Sequence, residues 1–157
     1  GGVSQLITDY DALAARIDSV PGVERAAPVV RGQGMASAPG RNAGVEVTGM
    51  RTEDLQAVPL IANPEAGWGD LSRLDEGVAI GYELARELGV GVGDVLTLIS
   101  PDGMDTPFGT QPRISDYEIV YVFRVGRFDI DRVRVYMGLE AAQEYFNREG
   151  AADAVEA

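Results

Sequence analysis

The stretch Gly77 to Pro101, GVAIGYELARELGVGVGDVLTLISP, decides the fold. Gly77-Val78-Ala79-Ile80-Gly81 is a short apolar run between glycines, the signature of a buried strand. From Tyr82 the period changes: Leu84, Ala85 and Leu88 recur at helical spacing, and Gly89 stands where a helix needs a left-handed C-terminal residue. Gly91-Val92-Gly93-Asp94 turns the chain, and Val95, Leu96, Leu98 and Ile99 open a second buried strand that is expected to stop at Ser100-Pro101. The GVGVG run at 89–93 is superficially like a phosphate loop. It follows a helix and precedes a strand, the reverse of the order that points a helix N-terminus at phosphate, so it reads as a turn.

The same punctuation extends outward. Toward the N-terminus, Leu13, Ala14, Ile17 and Val20 predict a helix over 9–20, capped by Thr8 or Asp9 and stopped by Pro21-Gly22. Val23 to Ser37 and Gly44 to Met50 read as strands, the second from its alternation, joined by a hairpin loop over 38–43. A short helix is predicted from Thr52 to about Val58, then an irregular stretch over 59–75 in which Trp68 packs a loop onto the body. Toward the C-terminus, Tyr117 to Arg127 and Val133 to Met137 read as strands with a turn at Asp129-Ile130-Asp131 between them. Leu139 to Asn147 reads as an amphipathic helix burying Leu139, Ala142, Tyr145 and Phe146, and the tail 151–157 begins another strand. Short helices among mostly antiparallel strands indicate one α+β domain over 1–157 with a mixed sheet.

Composition removes whole classes of function. The chain has 157 residues, 45% of them hydrophobic, enough for a core covering roughly two-thirds of the unfolded surface. Its 25 acidic against 13 basic residues leave a net charge of -12, which repels phosphate backbones and anionic lipid, so nucleic acid is not an expected partner. All the cations are Arg, scattered rather than clustered. With no His and no Cys there is no Ser-His-Asp or Cys-His nucleophile pair, no imidazole or thiolate metal site and no disulfide. Carboxylate chemistry is the remaining enzymatic alternative; a glycosidase-type hydrolase would need two inward carboxyls ~5 to 9.5 Å apart. Asp116, Asp129 and Asp131 lack the oxygen-ligand pattern of a calcium loop and read as solvated turn residues, and Ser100 and Ser115 have no visible base. No catalytic residue, metal or cofactor is expected. No run approaches the ~20 apolar residues that span a bilayer.

One segment resists a bland reading. Ser100 to Arg113, SPDGMDTPFGTQPR, holds three prolines and two glycines in fourteen residues, flanked by β patterning on both sides. The expectation is a long projecting loop between two antiparallel strands. Met104, Pro107 and Phe108 put apolar side chains where the backbone belongs at the surface. Either Phe108 folds back as a plug on its own domain, or a Pro-stiffened loop presents it as an anchor to another protein, preordering having reduced the entropy lost on binding.

Three segments together resemble the periplasmic domain of lipoprotein-releasing (Lol-type) ABC permeases: PGVERAAPVV at 21–30, GVAIGYELARELGVGVGDVLTLISP at 77–101 and VFRVGRFDIDRVRVYMGLEAAQEYF at 122–146. The middle one is shared with macrolide-exporter (MacB) and cell-division (FtsX) type permeases, and the loop TPFG with Pro112 and Arg113 is the most specific. The resemblance implies a MacB-like periplasmic core domain excised from an inner-membrane permease. It further implies lipoprotein cargo, a separate cytoplasmic ATPase subunit, a second permease copy, and a soluble periplasmic carrier (LolA-like) held by a hook over 100–113. By position Met104, Thr106, Pro107, Phe108, Gly109, Pro112 and Arg113 match the hook, Phe108 standing where the family has Met. The family's basic and amide pad beside the hook is replaced here by Thr97, Ile114 and Ser115, with Arg113 offset by about two residues. A related permease with another cargo is the alternative that would not require the TPFG loop.

Overall fold

The computed structural model describes residues 27–146 and 154–156. The helix expected over 9–20 lies outside them. Strand β1 (Ala27–Ala38) turns through Pro39-Gly40, with Gly40 at φ 74°, into β2 (Arg41–Met50), so the hairpin connection is tighter than the loop expected over 38–43. Helices α1 (Thr52–Gln56) and α2 (Pro59–Ala62), strand β3 (Ala66–Gly69) and a 3-10 turn (Leu71–Glu76) follow. The stretch 59–75 is therefore structured, and Trp68 sits in a strand rather than a loop. Next come β4 (Val78–Gly81), α3 (Tyr82–Leu88), β5 (Val95–Thr106) and β6 (Gly109–Arg124). The chain continues with α4 (Phe128–Asp131), β7 (Arg134–Gly138), α5 (Leu139–Tyr145) and β8 (Ala154–Glu156). The α3 helix ends as its sequence directs, with Gly89 at φ 70° and the Val90 N–H returning to the Ala85 carbonyl.

The sheet is mixed. Pairings run β1–β2–β7–β4–β6–β5 and return to β1, with β2–β7 and β4–β6 parallel and the others antiparallel. Those strands close a ring, which hides the edges that would otherwise pair with another chain. Strand β3 adds to the far end of β6, and β8 to the start of β1.

Two apolar clusters use the two faces of the sheet. The larger joins Val45, Val47, Val78, Ile80, Leu96, Leu98, Ile119, Val135 and Met137 to Leu84 and Leu88 of α3 and to Leu139, Ala142 and Tyr145 of α5. The smaller joins Ala79, Val120, Tyr121, Phe123 and Tyr136 to Leu55, Ile61, Leu71 and Leu74 from the connections after β2. Alternation along β6 slips once: the β4–β6 register shifts between Val78 and Ala79, and adjacent Val120 and Tyr121 both join the smaller cluster. Glycine makes the close contacts possible. A Cβ at Gly49 would overlap that of Ala142 in α5, and one at Gly81 would overlap the Asp131 carbonyl. Asp131, read from sequence as a solvated turn residue, is instead buried, and its carboxylate accepts the Val125 (2.8 Å) and Gly126 (3.1 Å) N–H groups.

Candidate functional site

The pair β5–β6 is anchored at one end and unaccompanied at the other. Strand β1 pairs with β5 only over Met35–Ile99 to Ser37–Thr97, and β4 reaches β6 only from Ile119 onward. Beyond these points the two strands pair only with each other, from Ser100–Arg113 out to Met104–Gln111, Asp105–Thr110 and Thr106–Gly109. The segment expected as an irregular loop over 100–113 is thus a two-stranded ribbon that ends in a two-residue turn, Pro107-Phe108. The sequence reading failed on the prolines. Pro101 and Pro112 do not end the strands because both fall at a register shift between Ser100 and Met104, where Pro101, Asp102 and Gly103 oppose Pro112 alone. At a bulge, as on an open edge, a missing N–H costs no ladder hydrogen bond.

The tip is braced by its own residues. Thr106 Oγ1 donates to the Gly109 carbonyl (2.7 Å) and accepts the Phe108 N–H (3.2 Å), Pro107 fixes φ at the first turn position, and Gly109 takes φ 104°, a conformation costly for any residue with a Cβ. Phe108 is 93% exposed, so it does not fold back as a plug. Because the turn backbone is already braced, a partner that buries the phenyl has only its side-chain rotation left to immobilise.

Alternation sorts the remaining hook residues onto two faces. Arg113 turns toward α5, where it lies 3.7 Å from Glu144, and Tyr117 on the same face meets Tyr145 edge-on. Burial raises the Tyr117 pKa, and a hydrogen bond with Ser115 partly offsets the rise. Pro112 and Ile114 lie on the opposite face. There Met35, Ile99, Pro101 and Pro112, with Gln33 and Gly34, line a hollow of about 320 Å³, and Ile114, opposite Ile99 in the ladder, is 65% exposed. One register step along, Thr97 Oγ1 donates to Asp116 at 2.6 Å. The structure therefore brings Thr106, Pro107, Phe108 and Gly109 together at the tip and places Pro112 at the base beside Ile114, while Arg113 points away from both. Met35 and Ile99 were missed from sequence, since only the β1–β5 register sets them beside the hook. For Met104 the backbone pairing with Gln111 is what the structure describes.

Elsewhere, a hollow of about 630 Å³ collects Arg51, Glu53, Asp75, Glu140 and Glu144 at the start of α5. Among the described residues no group of three or more acidic side chains is arranged to hold a metal ion, and no helix is long and apolar enough to cross a membrane.

The family model for the MacB-like periplasmic core domain matches residues 1–155. The chain belongs to that family. LolC of Neisseria meningitidis serogroup B, named a lipoprotein-releasing system transmembrane protein, is 28% identical over 133 residues, 83% of this chain and 32% of that protein. LolC of Xylella fastidiosa is 34% identical over 73 residues, 46% of this chain and 18% of that protein. The chain thus spans a third or less of the curated relatives it matches. Among solved structures, the extracellular domain of the ABC-type transporter YknZ superposes with a TM-score of 0.63 at 15% identity, covering 96% of this chain and 71% of that one. The periplasmic region of MacB from Actinobacillus actinomycetemcomitans gives 0.62 at 8% identity, covering 98% and 64%. Identities this low carry the fold alone. Fold and family are therefore those of the MacB-like periplasmic core domain, a periplasmic domain of the kind that inner-membrane LolC and MacB type permeases carry.

Proposed function

We propose that this domain belongs to an ABC permease that releases lipoproteins from the inner membrane, and that its β5–β6 ribbon is the hook that holds a soluble periplasmic lipoprotein carrier. The observation that carries the reading is Phe108, an exposed phenyl on a turn braced by Thr106, Pro107 and Gly109. The LolC relatives, named for lipoprotein release, support the cargo class. In this reading the Pro107-Phe108 tip enters the carrier's lipid-binding barrel, and the apolar row Met35–Ile99–Ile114 supplies the second contact where related hooks use cations and amides. The residues act by surface complementarity. ATP hydrolysis falls to a separate cytoplasmic subunit, whose cycle moves this domain and a second permease copy.

Burying a phenyl is worth about 1.5 to 3 kcal/mol, and putting a carboxylate there adds a desolvation cost. In a calorimetric titration with the carrier, Phe108→Asp is expected to weaken binding at least ~30-fold, equivalent to about 2 kcal/mol. Pro107→Ala is expected to cost several-fold by loosening the turn. No affinity of the wild-type domain for the carrier at high protein concentration, or equal affinity of Phe108→Asp, would defeat the reading.

A further inference from the structure

A proline stands where the body of the domain lets go of the ribbon. Strands β1 and β5 pair at Ser37–Thr97, Ala36–Leu98 and Met35–Ile99, and their ladder stops there. In an antiparallel ladder every second residue turns both its N–H and its C=O toward one neighbour, and the residues between turn theirs to the other side. Ala38 and Arg41 flank the two-residue turn Pro39-Gly40, which makes them a bonded pair, and the β1–β2 register runs unbroken from there to Val30–Gly49. Ala38, Ala36, Gly34 and Gly32 therefore bond to β2, while Ser37, Met35, Gln33 and Arg31 face the opposite edge, where β5 lies. After Met35–Ile99, the next bonded pair of the β1–β5 ladder falls on Gln33 and Pro101.

The ribbon gives the same assignment from its own side. Thr106 and Gly109 flank the turn Pro107-Phe108, and along β6 the residues in phase with Gly109, namely Gln111, Arg113 and Ser115, bond to β5. Ser100 and Leu98, opposite Arg113 and Ser115, face β6, so Ile99 and Pro101 face β1. Both routes set the Pro101 ring nitrogen against the Gln33 carbonyl. That nitrogen has no hydrogen to donate, and its ring carbon occupies the hydrogen's place. The strands part at this point, and the hollow of about 320 Å³ lined by Gln33, Gly34, Met35, Ile99, Pro101 and Pro112 marks the fork between them.

We infer that Pro101 is a positioning residue: by denying Gln33 a donor it ends the β1–β5 ladder and sets the ribbon free of the body. Its importance for transport rests on the proposed role of the ribbon as a hook. Zipped further, β5 would run back along β1 toward Arg31, and the Pro107-Phe108 tip would lie along the domain instead of standing away from it.

The test reads the ladder by NMR, without carrier, and then carrier affinity. Pro101→Val restores the N–H in a residue suited to a strand. The amide of residue 101 is expected to exchange at least ~100-fold more slowly than an open amide. A new Hα–Hα contact should join Gly32 and Asp102, the close non-bonded pair one step beyond Gln33. Pro112→Val is the control: its nitrogen points away from β5, and β4 pairs with β6 only from Ile119, so that contact should stay absent. Open exchange at residue 101 in Pro101→Val, or the same zipping in Pro112→Val, overturns the inference. If zipping leaves a tenth of the molecules with a free ribbon, carrier affinity falls ~10-fold. A zipped ribbon that binds carrier as tightly as the wild type defeats the proposed hook and leaves the role of Pro101 in the ladder standing.

Discussion

The two ends of the β5–β6 pair are built from one ladder and serve opposite ends. Near the body, Leu96, Leu98, Ile119 and Phe123 are fully buried between helices and neighbouring strands. Past Ser100 and Arg113 the strands have only each other, and the largest side chain at the apex is open to water. Hydrogen bonding is the same in kind at both ends, so what differs is what the side chains touch. Stability resides where side chains have partners inside the chain, and the proposed recognition surface is where they have none.

Breaking the buried end should produce the largest effect. Phe123 is fully buried and meets Tyr136 edge-on at 5.8 Å. Phe123→Ala should cost about 3 to 5 kcal/mol in urea unfolding, while the molecules that remain folded bind carrier as before. Next comes the carboxylate that ties the end of β6 to α4. Asp131→Ala orphans the Val125 and Gly126 N–H groups, and about 1 to 3 kcal/mol of stability should go with it.

A smaller effect is expected in alkali. Burial, with Tyr117 adding to it, raises the pKa of Tyr145 above the ordinary value of 10.0, and burial likewise raises those of Tyr117 and Tyr121. A group whose folded pKa lies above its unfolded one gives stability that is complete below the unfolded value and is lost as pH rises toward the folded one. Urea midpoints should therefore fall from about pH 10 upward. Tyr145→Phe should blunt that fall, and near neutrality it should cost little, because the Tyr145 hydroxyl is buried without a hydrogen-bond partner. The smallest stability changes belong to the free end. Thr106→Val removes both hydrogen bonds that brace the tip, yet thermal unfolding should register at most ~0.5 kcal/mol. Carrier affinity is where its effect should appear, as a loss of several-fold.

The same contrast explains what could be read from the amino acids. Over Gly77 to Ile99 the periodicity, the glycine at 89 and the strand length all agree with one another, and the elements formed as expected. Inward residues of α5 were likewise evident from their helical spacing. Proline misled the reading beyond Ser100, because a proline ends a strand only where its missing N–H faces a partner, and at Pro101 and Pro112 a bulge removes that partner. Trp68 was expected in a loop since β3 is only four residues long and alternates too briefly to show. Asp131 looked like a turn residue because nothing local reveals that the chain at Val125 and Gly126 folds back over it. At the hook, the apolar tip was legible from Pro107-Phe108 alone. The apolar row at its base was not, since it is assembled from three strands whose register is set by tertiary pairing.

The most direct test of the hook places a photo-reactive group at its tip. Phe108→p-benzoylphenylalanine keeps an aromatic ring at the apex, and irradiation with the soluble lipoprotein carrier in excess records what that ring touches. The expected result is a covalent adduct mapped by mass spectrometry to residues lining the carrier's lipid-binding cavity, lost when that cavity is filled with lipid. Adducts confined to the carrier's outer surface, or to other copies of this domain, would contradict a hook that works by inserting Phe108.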